Sequence, residues 1–159
     1  MKKLISLLTI AISSVAVYSA TISGTIKLDV PVKLETMPEV DCVVKLVSLD
    51  FVSDTINIPV GSEGKFTVTV PDGQYKVVVS QYRFTDLELP VSEYSGYNNL
   101  GVLELPIYCL HGRVLESITS DRDYYILESD TLNIAPGAEW IIGEYKIQNA
   151  GTLIFEDMD

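Results

Sequence analysis

Alternation of apolar and polar residues with a period of two runs through most of the chain, and it limits the fold more than any other feature. Between Thr21 and Val30, Ile22, Ile26, Leu28 and Val30 fall on one face, and Thr21, Ser23, Thr25, Lys27 and Asp29 on the other. Between Lys65 and Val70, Phe66, Val68 and Val70 alternate with Lys65, Thr67 and Thr69. Successive side chains of a strand point to opposite faces, so each pattern predicts a half-buried strand. Segments 41–49 and 74–82 are denser in apolar residues and predict more central strands. In 55–60 Pro59 cannot donate to a ladder, which places that strand at an edge. Segments 87–91 and 101–105 add two short strands, and turn residues cluster at 61–64, 71–73 and 95–99. No ten-residue stretch has a helical period. Many short strands at this spacing predict an all-β sandwich or barrel.

The first residues read as an address. Lys2 and Lys3 precede an apolar run from Leu4 to Val17 interrupted only by Ser and Thr. A basic start, a short apolar stretch and small residues after it form a secretory signal peptide. The expected cut follows Ser19, because a cut after Ala20 would put the bulky Tyr18 three residues before the bond. The run is too short for the roughly 20 apolar residues that span a bilayer. No cysteine stands at the cut to carry a lipid. The expected location is secreted, extracellular or at the cell surface, with the periplasm included. Of 159 residues, 22 are acidic and 11 basic, a net charge of −11. Losing Lys2 and Lys3 makes residues 20–159 about two charges more acidic. That balance argues against nucleic acid and anionic membranes as partners.

From Ile22 to about Leu105 the parts follow a recognisable order. Gly24 opens a strand, Gly64 and Phe66 start a second, and Pro71, Gly73 and Tyr75 form a hairpin leading into a third. This order resembles the carboxypeptidase regulatory-like domain, a transthyretin-like (prealbumin-like) sandwich. The glycine–tyrosine pair usual after the second hairpin is replaced here by Gln81, Tyr82, Arg83 and Phe84. The expected fold is therefore a transthyretin-like or immunoglobulin-like Greek-key sandwich over residues 20–106, with a strand-rich extension over 107–159. Positive φ is expected at Gly64 and Gly73. The resemblance implies an accessory module or binding platform that carries no catalytic residues.

The extension differs in rhythm. Leu132/Ile134, Trp140/Ile142, Tyr145/Ile147 and Leu153/Phe155 recur as short apolar pairs separated by Gly137, Gly143 and Gly151. The spacing resembles a short β-helix of about one and a half coils, in which each coil buries its face only on a neighbour. Two readings stand for this segment: ordinary hairpins flanking the sandwich, or an unfinished edge that another subunit covers. In the second, Leu132, Ile134, Trp140, Ile142, Leu153 and Phe155 are the assembly edge.

Little catalytic chemistry is encoded. His111 is the one histidine, and no nucleophile motif, zinc pattern or phosphate loop accompanies it. Cys42 and Cys109 read as one disulfide in an oxidising compartment, or as two buried thiols. Asp121, Asp123, Glu128 and Asp130 form an acidic loop, with Glu156, Asp157 and Asp159 at the C-terminus. Calcium is the ion such oxygens suit, but no calcium motif is present and solvated charge is the better account of them. Tyr94, Tyr97, Asn98 and Asn99 form a loop whose rings could stack on sugar. The expected function is a non-catalytic structural or interaction subunit of a cell-surface or extracellular assembly, filament or adhesin-like. It would meet another copy or another surface protein through exposed strand edges. The competing expectation is a carbohydrate-binding module built on the Tyr/Asn loop, with polysaccharide as ligand.

Overall fold

A computed structural model describes residues 18–50 and 54–157; the expected signal segment before Tyr18 lies outside them. Strands β1 (Ser19–Asp29), β4 (Lys65–Pro71) and β8 (Tyr97–Pro106) form one sheet, with β1 in the middle, antiparallel to β4 and parallel to β8. The second sheet orders β3 (Thr55–Ile58), β2 (Val43–Ser48), β5 (Gly73–Ser80) and β6 (Leu87–Glu88), and β7 (Ser92–Tyr94) pairs with the start of β5. As the sequence predicts, β2 and β5 are inner strands and β3, preceding Pro59, lies at the edge. The apolar faces meet in the middle. Ile22, Ile26, Phe66 and Leu105 come from one sheet, and Val44, Leu46, Tyr75, Val77 and Val79 from the other. The molecule is an all-β sandwich with a strand-rich extension.

Two local expectations need correction. Of the turn expected over 95–99, only Ser95 and Gly96 lie outside strands; Tyr97 to Asn99 already belong to β8. Gly64 has φ +77°, but Gly73 does not have positive φ. At Gly73 the constraint is space, since a Cβ there would stand 2.7 Å from Asp50 Oδ2. At Gly64 both constraints apply. A Cβ would lie 2.2 Å from the carbonyl oxygen of Ile26, whose own N–H donates to Gly64 O at 2.8 Å. Gly64→Ala is expected to cost about 2 kcal/mol or more, from left-handed strain and from that contact. Chemical denaturation measures it, and a loss below about half that value would show that the turn relaxes freely.

The extension is a small solenoid. Its strands are β9 (Gly112–Val114), β10 (Ile118–Thr119), β11 (Tyr124–Ile126), β12 (Thr131–Ile134), β13 (Trp140–Ile141), β14 (Ile147–Asn149) and β15 (Thr152–Phe155). Every pairing among them is parallel: β9 with β12, β12 with β15, β10 with β13, and β11 with β14. Hairpins give antiparallel neighbours, so the hairpin reading is wrong. Each strand stacks on the one about 20 to 23 residues earlier. This is a three-sided coil with two turns and the first strand of a third, rather than one and a half turns.

The sandwich closes one end of this solenoid. Glu35 N donates to Arg113 O at 2.8 Å and Leu115 N to Lys33 O at 2.9 Å, so segment 33–35 pairs with the outer edge of β9. Tyr125 N donates to Tyr108 O and Leu110 N to Tyr125 O, which places 108–110 beside β11. The buried core runs without a break from Val32 and Leu34 through Leu105, Ile107 and Leu110 into Val114, Ile118, Tyr124 and Leu132. Arginines tie the two parts together. Arg122 reaches Asp29 at the end of β1 at 2.7 Å. Arg83, in the turn after β5, holds the buried Asp130 between β11 and β12. The backbone of Arg83 has φ +74°, and its guanidinium lies 4.9 Å from the centre of the Tyr82 ring.

Candidate functional site: the open end of the solenoid

The end away from the sandwich has no cap among the described residues. The parallel registers align inward-facing side chains in columns. Val114, Ile134 and Phe155 form one column, and Leu132 and Leu153 another. Ile118 stacks with Trp140, and Tyr124 with Ile147. Burial falls along each column as the stack runs out. Val114 is 0% exposed and Ile134 1%, whereas Phe155 is 57% exposed. Leu153, Trp140 and Ile147 are half-buried against the core. Trp140 is fixed by its Nε1, which donates to Ser120 Oγ at 2.9 Å, and by edge contact with Tyr124 at 5.9 Å between centroids.

Along this end, β13, β14 and β15 each bond to a neighbour on one side only. Ile141, Ile142 and Ile154 are also exposed beside them. Edge strands of native monomers are commonly blunted by proline or charge. The sandwich edges follow that rule: β4 begins at Lys65 and ends at Pro71, and β8 ends at Pro106. β15 reads Thr-Leu-Ile-Phe and meets its first charge at Glu156. Arg113 holds that carboxylate with contacts of 2.7, 3.0 and 3.1 Å, which keeps the Glu156 carboxyl below its ordinary range. The first acid after the strand is therefore already paired within the molecule.

The expected assembly edge is brought together only in part. Leu132 and Ile134 sit on β12, which is bonded on both sides by β9 and β15, and they are interior residues. Trp140, Ile142, Leu153 and Phe155 do lie at the open end, and Ile141 and Ile154 join them. Those two were missed because a strand's outward residues look like ordinary surface until the ladder on that side is known to stop.

The Tyr/Asn loop does not assemble as one site. Tyr94 is buried against Tyr75, with ring centroids 6.3 Å apart. Asn98 spends its amide on the carbonyls of Ser95 and Gly96, and Asn99 Oδ1 accepts from Gly101 N at 2.9 Å. Tyr97 is exposed, and its hydroxyl accepts from Ser23 at 3.2 Å.

The disulfide is likewise absent. Both cysteines are buried free thiols. Cys42 Sγ donates to Gln81 Oε1 at 2.8 Å, and burial pushes its pKa up to about 11. Cys109 Sγ lies 3.4 Å from Arg83 Nη1 and 3.8 Å from Asp130 Oδ2. Each thiol has its own polar partner on or beside the 81–83 turn, so neither is aimed at the other. Three of the four acids of the loop are also committed elsewhere, and Glu128 is exposed. Asp121 bonds Arg122 and Tyr124, Asp123 Oδ1 accepts from Lys146 N, and Asp130 bonds Arg83. Among the described residues no group of three or more His, Cys, Asp or Glu is placed to hold a metal ion. His111 lines a small crevice with Arg83 and Cys109, whose buried thiol has its pKa pushed up by burial and so is poorly suited to act as a nucleophile.

No family model and no curated protein matches the sequence. Among solved structures, a type II cohesin–X-dockerin complex from Acetivibrio cellulolyticus is similar at 18% identity and TM-score 0.42, over 56% of this chain and 58% of that one. A DUF3823 family protein from Parabacteroides merdae is similar at 16% identity and TM-score 0.39, over 57% of this chain and 46% of the other. The Bacillus anthracis TIE protein is similar at 11% identity and TM-score 0.37. The chain thus spans about half the length of the first two of these structures and 17% of the third.

Proposed function

We propose that this is an exported, non-catalytic interaction protein of the cell surface or extracellular space. Residues 20–106 form its platform, a carboxypeptidase regulatory-like sandwich, and residues 107–159 its contact element. The single observation that carries the reading is the uncapped solenoid end, where Phe155, in the same column as the buried Ile134, is left largely exposed. Strand addition at such an end supplies main-chain hydrogen bonds and a column of apolar contacts together. The architecture also limits how assembly occurs. The other solenoid end is already bonded to 33–35 and 108–110, so copies cannot stack end to end into a filament of coils. That supports a closed contact over the filament considered from sequence.

A photo-reactive phenylalanine derivative at position 154, introduced in the producing cell, tests this. It is expected to cross-link to protein in the surface or secreted fraction, while the same group at the exposed Glu63 on the sandwich gives no adduct. Equal labelling at both positions, or none at 154, would refute the reading.

A further inference from the structure

Resting on the open end being the contact surface, we infer that its occupant is a second copy of this chain, joined about a two-fold axis through β15. Two features of the structure select this partner. The first is register. Across a two-fold axis β15 meets its own copy antiparallel, and residues directly opposite share a face of the sheet. The inward columns of the two solenoids must coincide, so a residue of β15 must stand opposite itself. With Ile154 opposite its own copy, Leu153 faces Phe155 of the second molecule and Phe155 faces its Leu153. Both inward columns are then continued through the junction, and an aliphatic–aromatic cross-strand pair forms twice.

The second feature is charge. In a three-sided coil the corner opposite β15 is the turn between β13 and β14, residues 142–146. A two-fold axis through β15 brings that corner onto itself. It carries Glu144 and Lys146, both exposed and two residues apart. Each Glu144 is thereby set against the other molecule's Lys146, the reciprocal pairing that a self-complementary interface requires. β13 and β14 lie part of a turn behind β15, so across the junction β13 stands about 10 Å from the opposing β14. That is twice the spacing of paired strands, so β13 and β14 do not pair across the junction and β15 alone carries the ladder.

The test uses the full exported chain. Sedimentation velocity is expected to show a dimer whose share rises with concentration. Ile154→Cys should form a disulfide-linked dimer on mild oxidation, because directly opposed residues lie within disulfide reach. Thr152→Cys should not, because Thr152 and its copy would be about 14 Å apart along the strands. Glu144→Lys should weaken dimerisation by on the order of tenfold by placing like charges together, and adding Lys146→Glu should restore it. All four substitutions are on exposed positions, so folding is preserved and can be confirmed by the melting curve. A chain that stays monomeric at every concentration overturns this inference. So does a dimer indifferent to the charge swap, or one in which Thr152→Cys links as readily as Ile154→Cys. If the chain is monomeric while position 154 still labels a different protein in the cell, the self-pairing falls and the proposed function stands.

Discussion

Replacing Asp130 with alanine is expected to lower stability by about 3 kcal/mol, roughly a 10 °C drop in melting temperature for a chain of this size. Asp130 is buried, and both of its carboxylate oxygens face the guanidinium of Arg83, with Nη2 donating to Oδ1 at 2.8 Å. Without the carboxylate a mostly buried cation is left unpaired, which costs more than the pair contributes when intact. The cation also sits on a strained backbone, since Arg83 is a non-glycine residue holding φ +74°. Arg83→Gly should also be destabilising, since it leaves the buried Asp130 carboxylate unpaired, offset only in part by relief of the positive-φ strain. Acid should act through the same pair. Arg83 holds the Asp130 carboxyl below the ordinary carboxylate range. The stability linked to that shift is present above about pH 4, where an unfolded aspartate is ionised, and is lost as the pH falls through the lower folded value. Thermal melts from pH 7 down to pH 2 should show a steeper acid loss in the wild type than in Asp130→Asn. A melting temperature for Asp130→Ala within about 2 °C of wild type would show that the Arg83–Asp130 pair contributes little to holding the two parts of the molecule together.

Leu132→Ala and Phe155→Ala are expected to separate cleanly, although both residues look alike in the sequence. Leu132 is 0% exposed on the central strand of the β9–β12–β15 sheet. Truncating it removes apolar contacts on both sides and leaves a cavity, at a cost of about 3 kcal/mol. Phe155 lies in the same sheet but at its open end, and its removal should cost under about 1 kcal/mol in the isolated chain. The difference appears directly in denaturant midpoints. If Phe155→Ala is as destabilising as Leu132→Ala in the monomer, then Phe155 is a core residue and the open end is closed by other means.

Rim charge matters less to these two results than to association. The ion pair between Lys27 and Glu104 is exposed at both ends, at 2.8 Å. Pairs of that kind contribute little to folding. Glu144 and Lys146 are equally exposed, and for them the measurable effect lies in the dimer.

Much of the sandwich was legible from the chain because strand formation leaves a short-range record. The alternation from Thr21 to Val30 became β1, the dense segments became the inner strands β2 and β5, and Pro59 put β3 at the edge. Each of these needs only neighbours in sequence to be recognised. The glycines were legible in part. Gly64 has the positive φ its turn requires, but Gly73 is there to make room for Asp50, a residue of a different strand connection that spacing alone does not bring near.

The extension shows what sequence by itself leaves open. Leu132/Ile134 and Leu153/Phe155 determine that two strands put two residues each toward a core. A hairpin and a solenoid both satisfy that, because the period within a strand is the same in either. Which one forms depends on pairings about 20 residues apart, and those pairings rest on segments 33–35 and 108–110 being held by the sandwich as a first template. The cysteines follow the same logic: their number permitted one disulfide, but the 81–83 turn gave each thiol a separate polar partner. The sequence determined strands, turns and a core-facing pattern, because those are set by local chirality and period. Only the tertiary structure decided which apolar residues are interior and which stand at an open end, because exposure depends on whether another strand exists to pair with the last one.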